Sequence, residues 1–506
     1  MLLILIISAF FLFWTAIRKN NYWKNRGIPG PEPSPWKGNL DLIFNKNPSS
    51  LQLFDWSKKY GRIYGIKNGW FNTLVISEPE MVKELLFDKF ESMYGHMVNP
   101  MIGNVNTNSM VHLFATKGRR WKRLRHIANP AFSTFNLKRA LPIIDDTIQN
   151  NIKILKKYLF TWELLKYNSK EFCQLSRDTL TVFNNNIFDY LSYIFPWLGL
   201  NVLSPFLGAT GNLRRDPGQI LIEKIYEAVI RRKEEKMKKN EREEDEDEEN
   251  EENLKNKKWV NFIDLFLESE AEKVELKEYS GTFNRSEKVE KNERRNSIDE
   301  IVMNLFLFLL TGFDTTANTL SLIAHNLVFY PEVQKRLFEE IEEICGLEEG
   351  EIINYEQLAK LKYADAVFYE TQRLCPMAAA VVNRVCEETT TLGDITIEKG
   401  TVVSADLFTL HRDKKIWGED AEEFKPERWL LNENINTPTE YYYPFGGGPR
   451  ICIGMRLALM EIKMILVNLL RSFELEKCSE TVLKPNLAGQ AVLNSGKICV
   501  KLNLRK

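Results

Sequence analysis

One glycine-rich loop near the C-terminus carries a cysteine that is suited to binding a metal ion. Residues 445–454 read FGGGPRICIG, and an amphipathic helical pattern follows them. Glycines let the backbone approach a flat group closely, and Cys452 lies just before a helix N-terminus, where the helix dipole favours a thiolate. A thiolate in this position can bind iron. Taken alone, the pattern also fits an inert buried thiol in a plain turn, whereas a phosphate-binding loop is excluded because no lysine follows at the required spacing.

A second candidate is the motif ETQR at residues 370–373, on a helix predicted over 363–375. Glu370 and Arg373 are three residues apart and therefore share one face of that helix, and Arg428 can extend the pair into a buried network. A pair of this kind with no other support is more often exposed to solvent.

A third candidate is the segment TGFDTT at residues 311–316, inside a long apolar helix predicted over 298–330. Gly312 and the hydroxyl of Thr315 can open a groove in the helix, and Asp314 can pass protons inward. Adjacent threonines in a helix more often bond their own backbone, so the functional interpretation depends on the glycine-rich loop.

The elements that position these residues are predominantly helical. After about residue 50, apolar residues recur at helical spacing, and strand-like runs are short and confined to the early part and the final third. Ser297 is the predicted N-cap of the helix over 298–330, a second helix is predicted to begin at Pro331, and another runs from Gly454 to about residue 472. The predicted fold class is mainly α with minor β.

These motifs together resemble those of the cytochrome P-450 family. The loop at 445–454 resembles the family's cysteine-ligand loop at every defining position, and ETQR resembles its Glu-x-x-Arg helix. GIPGPEPSP at 27–35 is similar to the proline hinge of microsomal members, and FKPERW at 424–429 to the Pro-Glu-Arg motif. Two further segments, WKRLR at 121–125 and RVC at 384–386, look closest to the animal drug- and steroid-oxidising subgroup and its nematode relatives. The resemblance covers nearly the whole chain.

The resemblance implies a heme b cofactor with the thiolate of Cys452 as its axial iron ligand. Such ligation favours cleavage of an oxygen–oxygen bond. Heme propionates need cations where they would otherwise be buried unpaired. The residues that match cofactor-binding positions of the family are Trp121, Arg125, Arg384, Phe445, Arg450 and Cys452. An arginine that the nearest subgroup carries upstream of Trp121 has no match near Asn99 and Pro100.

The implied reaction is the insertion of one oxygen atom from O2 into a lipophilic substrate, with NADPH as the electron source. Asp314 and Thr315 match the catalytic positions, and Glu370, Arg373 and Arg428 match a structural network behind the heme loop. No nucleotide-binding motif is visible, so electrons must come from a partner, which the resemblance identifies as a flavin reductase, with cytochrome b5 as a second donor. Two rival functions stay open: a heme-thiolate isomerase, and an inactive or non-catalytic membrane-tethered heme protein.

Positions for the substrate pocket and a docking face follow from the same motifs. The predicted pocket residues are Leu307, Leu310 and Thr311 on the central helix, Ala378, Ala379, Ala380 and Val382 after the ETQR helix, and Ala488 to Val492 near the C-terminus. Most of them are small or apolar, which suits a lipophilic molecule. Lys122, Arg123 and Arg456 are candidates for a basic face toward the reductase, although ordinary solvated charge explains them equally well.

Composition limits the class of partner. The 506 residues contain 68 basic and 69 acidic side chains, a net charge of -1, which excludes the broad positive field of a general nucleic-acid binder. Seven scattered cysteines give no disulfide framework and predict reduced thiols in a protein that faces the cytosol.

The N-terminus predicts a membrane anchor. Residues 2–17 are uncharged and mostly apolar, and basic residues follow at once, which predicts a single-pass anchor over 1–17 in the endoplasmic reticulum membrane with the body in the cytosol. A basic flank and proline-rich hinge over 18–36 then precede the catalytic domain at 37–506. A charged insert at about 231–258 is predicted as a loop or frayed helix extension. The aromatic segment 190–207 could line a substrate entrance, dip into the bilayer surface or be plain core.

One region is shorter than the family pattern. Members of the subgroup resemble one another in carrying an additional helix and loop between 145 and 190, and residues 161–186 are too few to supply both. Either this branch has trimmed a helix or the gene model has lost an exon.

Overall fold

The computed structural model describes residues 15, 18–45, 48–160, 187–207, 217–243, 262–271, 297–348, 352–430, 439–490 and 492–505. The site residues named above fall in these ranges, except for Ala491 of the predicted pocket segment 488–492, which lies outside the described residues. The predicted anchor over 1–17 lies outside the described residues, except for Thr15. Most of the acidic part of the charged insert and residues 161–186 of the shortened region also lie outside them.

The described part is mainly helical, as predicted from the apolar spacing. Its helices are α1 (Leu40–Asn45), α2 (Ser49–Tyr60), α3 (Pro79–Lys83), α4 (Gly118–Ala128), α5 (Thr134–Phe160), α6 (Ile187–Ile194), α7 (Pro196–Leu198), α8 (Pro217–Glu243), α9 (Phe262–Ala271), α10 (Ile298–Phe329), α11 (Pro331–Cys345), α12 (Tyr355–Lys360), α13 (Lys362–Leu374), α14 (Leu407–Leu410), α15 (Lys414–Trp417) and α16 (Met455–Ser472). Short 3-10 and π turns connect several of them.

The strands are short and lie where the sequence predicted them, in the early part and the final third. They are β1 (Ile63–Asn68), β2 (Phe71–Ile76), β3 (Asn383–Val385), β4 (Thr390–Leu392), β5 (Ile395–Ile397), β6 (Val402–Ala405), β7 (Phe473–Glu476) and β8 (Lys501–Leu504). Four of them form a sheet in the order β1-β2-β6-β3, in which β2 and β6 are parallel. The pairs β4-β5 and β7-β8 are separate antiparallel hairpins.

The central helix α10 has the predicted start and stop. Ser297 Oγ accepts a hydrogen bond from Glu300 N (3.2 Å), and Ser297 N donates to Glu300 Oε2 (3.2 Å), which forms a capping box. The helix ends at Phe329, two residues before Pro331, which opens α11. By length and composition α10 is the one helix in the described ranges that could cross a membrane, but it packs against α8, α13 and α16 as the core helix of the fold.

The proline-rich segment is packed against β1. Gly65 N donates to Pro29 O (2.8 Å), and a Cβ on Gly30 would lie 2.0 Å from Gly65 O, so this close approach requires glycine. Trp23 is buried, and its Nε1 donates to Ile66 O (3.0 Å). The predicted hinge is therefore attached to the folded body from Trp23 onward.

Two other predicted segments are partly described. The charged insert begins as a helix extension, because α8 continues through the basic run to Glu243. The aromatic segment forms α6, α7 and a π turn, and it presents a row of exposed apolar side chains. These are Ile187, Phe195, Trp197, Leu200, Val202 and Phe206.

Candidate active site

The glycine-rich loop is held in one conformation by close contacts. Cys452 N donates to Phe445 O (2.9 Å), and the Phe445 ring stacks on Phe368 at 5.8 Å between centroids. Gly448 has a φ of 66°, and a Cβ at this position would lie 1.9 Å from Leu86 O. Only glycine fits there, so the loop presses against the chain after α3 and fixes Cys452 at the start of α16.

The thiol of Cys452 experiences opposing electrostatic effects. The residue is solvent-accessible, yet burial by the surrounding protein raises the pKa of the thiol. Hydrogen bonds from the backbone of Gly454 and Met455 and the charge of Arg125 act in the opposite direction and lower that pKa. The sequence predicted that the helix N-terminus favours the thiolate; this effect is present, but in the structure burial outweighs it. A bound cation would reverse the balance, because a coordinating thiol loses its proton.

Three arginines predicted to bind the cofactor are brought together near this thiol. Arg384, on β3, is 1% exposed, and Arg450 stacks over the Trp121 ring at 4.3 Å. Burial, followed by the charges of Arg384 and Arg125, lowers the pKa of Arg450, and burial also lowers the pKa values of Arg384 and Arg125. Three cations that repel one another in a desolvated place are costly unless an anion joins them.

The hydrogen bonds of these arginines are incomplete within the described part of the chain. Arg450 donates to Phe114 O (3.4 Å) and Thr116 O (2.7 Å), and Arg384 donates to Asn383 O (2.8 Å). The Nε atoms of Arg384 and Arg450 are buried and have no partner there. A bound carboxylate could accept hydrogen bonds from these two Nε–H groups.

A histidine that sequence reasoning missed belongs to this cluster. His96 Nδ1 lies 3.5 Å from Arg384 Nη1, and its ring stacks on Phe114 at 4.3 Å. Burial and the charges of Arg384 and Arg450 lower the pKa of His96 well below its ordinary value. It lies a few residues before Asn99, where the subgroup's arginine has no match, but no spacing rule marks a lone histidine in a loop.

The central helix presents an open face at the predicted oxygen-activation motif. Thr311 and Gly312 are exposed although α10 runs through the core, and a Cβ on Gly312 would meet no atom within 4 Å. Ile453, next to Cys452, packs in the same apolar cluster as Leu307 and Phe308 of α10. The open face and the thiol therefore belong to neighbouring walls of the protein interior.

The threonines of this motif bond their own helix. Thr315 Oγ1 donates to Thr311 O (2.6 Å), and Thr311 Oγ1 donates to Leu307 O (2.8 Å), while α10 continues without a break. The groove predicted at Gly312 and Thr315 is thus an open surface beside a regular helix rather than a distortion of it. Asp314 accepts a hydrogen bond from Asn318 Nδ2 (3.0 Å), which fixes its carboxylate.

Three segments predicted to line the pocket are tied together by hydrogen bonds. Asn318 Oδ1 of α10 accepts from Ser495 N (2.9 Å), and Leu493 N in the same C-terminal loop donates to Met377 O (2.8 Å). Gln372 Nε2 of α13 donates to Thr319 Oγ1 (2.8 Å). The C-terminal loop, the central helix and the segment after α13 therefore meet, as the pocket prediction requires.

Individual pocket residues divide into two groups. Leu307, Ala378 and Ala380 are partly accessible, and Thr311 is exposed. Leu310, Ala379 and Val382 are packed in the core: Leu310 lies with Leu221 and Phe306, and Ala379 and Val382 lie in the apolar cluster around the four-stranded sheet. The described residues of the predicted segment 488–492 are partly accessible. Leu310 is one residue from Thr311 and therefore lies on a different side of α10.

Glu370, Arg373 and Arg428 form one buried network. Glu370 and Arg373 are both 0% exposed, and Arg373 Nε and Nη2 each donate to the Glu370 carboxylate at 2.8 Å. Arg428 Nε donates to the same carboxylate at 3.2 Å. Sequence reasoning missed the rest of the shell: Lys425 N (3.0 Å) and Trp429 Nε1 (2.9 Å) also donate to Glu370.

The predicted docking face is altered by one ion pair. Arg123 Nη2 lies 2.7 Å from Glu300 Oε1, and Arg120 Nε lies 2.9 Å from the same oxygen. Arg123 therefore ties α4 to the start of α10, which corrects its prediction as a surface cation. Lys122 and Arg456 are exposed.

The chain is similar to nematode proteins with provisional cytochrome P450 names. CYP13A7 of Caenorhabditis elegans is 35% identical over 526 residues, which cover 99% of this chain and 97% of that protein. CYP13A4 of the same organism is 34% identical over 511 residues, which cover 96% and 95%. The alignment with CYP13A7 is 20 positions longer than the 506 residues of this chain, so that protein has residues that this chain lacks.

A family model supports the same assignment independently of any single relative. The model described as Cytochrome P450 matches residues 28–502, which include every candidate site residue. It therefore extends over the accessible thiol, the uncompensated arginines and the open face of the central helix. The chain belongs to the cytochrome P450 family of monooxygenase oxidoreductases, whose members bind heme iron through a cysteine thiolate.

Proposed function

We propose that this chain is a heme-thiolate monooxygenase with Cys452 as the iron ligand and a propionate site formed by Arg125, Arg384, Arg450 and Trp121. The observation that carries this proposal is the group of three desolvated cations beside an accessible thiol, with buried Nε donors that have no partner in the described ranges. Two carboxylates would supply the missing acceptors and remove the repulsion among the cations.

His96 takes part in the same site. Its ring lies against Arg384, and Phe114, on which it stacks, accepts a hydrogen bond from Arg450 through its carbonyl oxygen. A neutral imidazole can donate one hydrogen bond to a propionate without adding a fourth charge. His96 thereby does in this chain what an arginine near Asn99 does in the nearest subgroup.

Asp314 and Thr315 are the residues that handle protons. When bound, heme supplies the reduction of O2 that lets one oxygen atom enter the substrate while the other leaves as water. The Thr315 hydroxyl donates to Thr311 O, so its oxygen is oriented to accept a hydrogen bond from a water at the open face. Asp314, fixed by Asn318, can pass a proton from solvent toward that water.

The substrate is a lipophilic organic molecule. The accessible positions at the meeting point of the three segments are Leu307, Thr311, Ala378 and Ala380. Three of these four are apolar, which favours desolvation of a nonpolar surface, and Thr311 already uses its hydroxyl proton within the helix. The pocket therefore accommodates a substrate mainly through apolar contacts and offers few hydrogen-bonding groups to it.

Electrons come from NADPH through a flavin reductase, with cytochrome b5 as a second donor. The sequence has no nucleotide-binding motif that would let the chain bind NADPH itself. Lys122 lies on α4, which carries Trp121 and Arg125, and Arg456 lies in the first turn of α16, which follows Cys452. These two cations form the basic part of the docking face.

The protein is held at the endoplasmic reticulum membrane by an anchor over residues 1–17. The uncharged run with a basic flank supports this topology. Exposed Phe195, Trp197 and Phe206 give the body a second apolar contact with the bilayer surface. Carbonate extraction of membranes that contain the full chain or a variant without residues 2–17 tests the anchor: only the full chain should stay in the pellet.

The carbon monoxide difference spectrum of the dithionite-reduced full-length protein tests the heme site. Wild type should show the red-shifted Soret band of a thiolate ligand, and Cys452→Ser should lose it. Cys386→Ser, at a buried cysteine outside the site, is the matched control and should keep it. Well-expressed wild type without the band would support the inactive relative instead, and turnover that needs no reductase would support the isomerase.

A further inference from the structure

Two cysteines lie two residues beyond the paired ends of β7 and β8, Cys478 after Glu476 and Cys499 before Lys501. The register of β7 and β8 pairs Phe473 with Leu504 and Glu476 with Lys501. Continued by two residues, the same register places Cys478 directly opposite Cys499. Both thiols are free and partly accessible.

The side chains of this register meet on the same exposed face. In the preceding pair on that face, Lys501 Nζ lies 3.2 Å from Glu476 Oε2. Because side chains alternate along a strand, Cys478 follows Glu476 on its face and Cys499 precedes Lys501 on its face. If the strand pairing is extended past Glu476 and Lys501, whose side chains are in contact, the two thiols form the next cross-strand pair on this face.

The backbone supports a spacing compatible with a disulfide. Arg505 N donates to Ser472 O (3.0 Å), so every second pair of the ladder from there is of the hydrogen-bonded type, and the same alternation would make 478 and 499 such a pair once the strands close beyond Glu476 and Lys501. Such pairs have Cα atoms about 5.5 Å apart, inside the range that a disulfide requires.

A hydroxyl group bridges this pair. Cys478 N donates to Thr481 Oγ1 (2.9 Å), which donates to Cys499 O (2.7 Å), and Cys478 Sγ lies 3.3 Å from the same oxygen. The hydroxyl stands where a direct backbone bond would form, so it must withdraw for the strands to close. Hydrogen bonds from Thr481 and the nearby backbone lower the pKa of Cys478, which makes it the more nucleophilic thiol.

We propose that Cys478 and Cys499 form a reversible intramolecular disulfide when the protein meets hydrogen peroxide. The Cys478 thiolate attacks one peroxide oxygen, the O–O bond breaks, and a sulfenic acid and hydroxide form; the hydroxide takes the proton of the Cys499 thiol and leaves as water. The Cys499 sulfur then attacks the sulfenic sulfur, the S–S bond forms, and hydroxide is displaced and protonated by solvent. Two thiols and one peroxide become one disulfide and two waters.

The disulfide would close the base of the loop that reaches the pocket. The residues between the two cysteines include Leu493, which bonds Met377, and Ser495, which bonds Asn318 of α10. Linking the two ends of this loop reduces its conformational freedom. Oxidation at the hairpin would therefore slow backbone exchange in residues 479–498 while leaving the catalytic residues chemically unchanged.

Peptide mapping of the purified full-length protein tests the proposal. The protein is treated with a few equivalents of hydrogen peroxide, its remaining thiols are blocked with N-ethylmaleimide, and it is digested without reductant for mass spectrometry. Wild type and the Cys386→Ser control should both yield the Cys478–Cys499 linked peptide, and dithiothreitol should remove it. Cys478→Ser and Cys499→Ser should each lose it completely.

Two results would overturn the proposal. One is a wild-type digest in which Cys478 is oxidised to sulfinic acid or remains alkylated while no linked peptide forms. The other is a linked peptide that joins Cys478 to a different cysteine. Hydrogen exchange of residues 479–498 adds a second measurement: slowing that also occurs in oxidised Cys478→Ser would contradict the role of this disulfide.

Discussion

Arginines are buried in two parts of this protein, and the two parts differ in how their charges are compensated. Around Glu370, every N–H of Arg373 has an acceptor: the carboxylate itself and the carbonyl oxygens of His411, Ala421 and Glu423. Around Arg450, burial and then the charges of Arg384 and Arg125 lower the pKa of Arg450, and two buried Nε donors have no partner in the described ranges. The first group is complete without any ligand, and the second is not.

This difference separates scaffold from binding site more clearly than burial does. Both groups contain a nearly inaccessible arginine, Arg373 at 0% and Arg384 at 1% exposure. A desolvated cation that has its own carboxylate stabilises the fold only as part of a closed network. Desolvated cations that have no carboxylate are destabilising until an external anion binds to them. The family membership of the chain identifies heme as the group that carries such anions.

The largest effect is expected from opening the complete network. Glu370→Ala leaves Arg373 and Arg428 buried without their carboxylate and should lower the free energy of unfolding by about 3–5 kcal/mol. Urea unfolding of the full-length protein followed by circular dichroism measures it. Glu356→Ala, which removes an exposed partner of Lys138, is the matched control and should change the free energy of unfolding far less. Equal losses in the two variants would refute the closed network.

A pair of substitutions on one helix tests the incomplete cluster. Arg125→Gln removes a cation that has no acceptor in the described part of the chain, so the apoprotein should keep its stability while heme dissociates roughly 10- to 100-fold more readily. Arg123→Gln removes a partner of the buried Glu300 and should instead destabilise the apoprotein. Heme transfer to apomyoglobin and urea unfolding give the two readouts. The comparison fails if Arg125→Gln destabilises the apoprotein as much as Arg123→Gln does.

Each group contains a histidine, and acid titration should distinguish them. Burial, then nearby arginines, lowers the pKa of His96 and of His411 well below 6.5. The unfolded chain therefore binds more protons below pH 6.5 than the native protein does, and stability should fall as pH decreases through this range. Propionates would reduce this effect at His96 but not at His411. The free energy of unfolding is measured between pH 7.5 and 5, and its decrease with falling pH is compared between variants. His96→Gln should make this decrease smaller in the apoprotein only, whereas His411→Gln should make it smaller with or without heme. An unchanged decrease in both variants would contradict the assignment.

The smallest change in stability is expected at Thr315. Thr315→Ala removes one helix back-bond and should change the unfolding free energy by less than about 1 kcal/mol and retain heme. Coupling should nevertheless fall, with reducing equivalents diverted to peroxide, because the proton-handling hydroxyl is lost. Ser321→Ala removes the same kind of bond on the same helix and should leave coupling intact. Unchanged ratios of product to NADPH consumed would remove Thr315 from the mechanism.

Local signals predicted the elements and the motif residues well. The N-cap at Ser297, the start of a helix at Pro331 and the glycine before α16 each depend on neighbours within a few residues, and the structure has all three. The pairing of Glu370 with Arg373 follows from one turn of helix for the same reason. Sequence spacing is sufficient wherever the partners share an element.

Contacts between distant segments could not be read in this way. Arg123 finds Glu300 at a separation of 177 positions, so nothing near it distinguished it from a surface cation. His96 reaches Arg384 only because its loop folds back on β3, 288 positions away. Leu310 and Thr311 are neighbours in sequence, and which of them faces the cavity depends on where α8 packs against α10.

With the proposed anchor in a membrane, the attachment of Trp23 to the first strand would limit how far the catalytic body can move from that membrane. Only residues 18–22 separate the proposed anchor from this buried side chain, a reach of at most about 20 Å even if fully extended. An anchored molecule can therefore neither tumble freely nor present every side to the cytosol. A redox partner has to approach within the restricted range of orientations that this short tether allows.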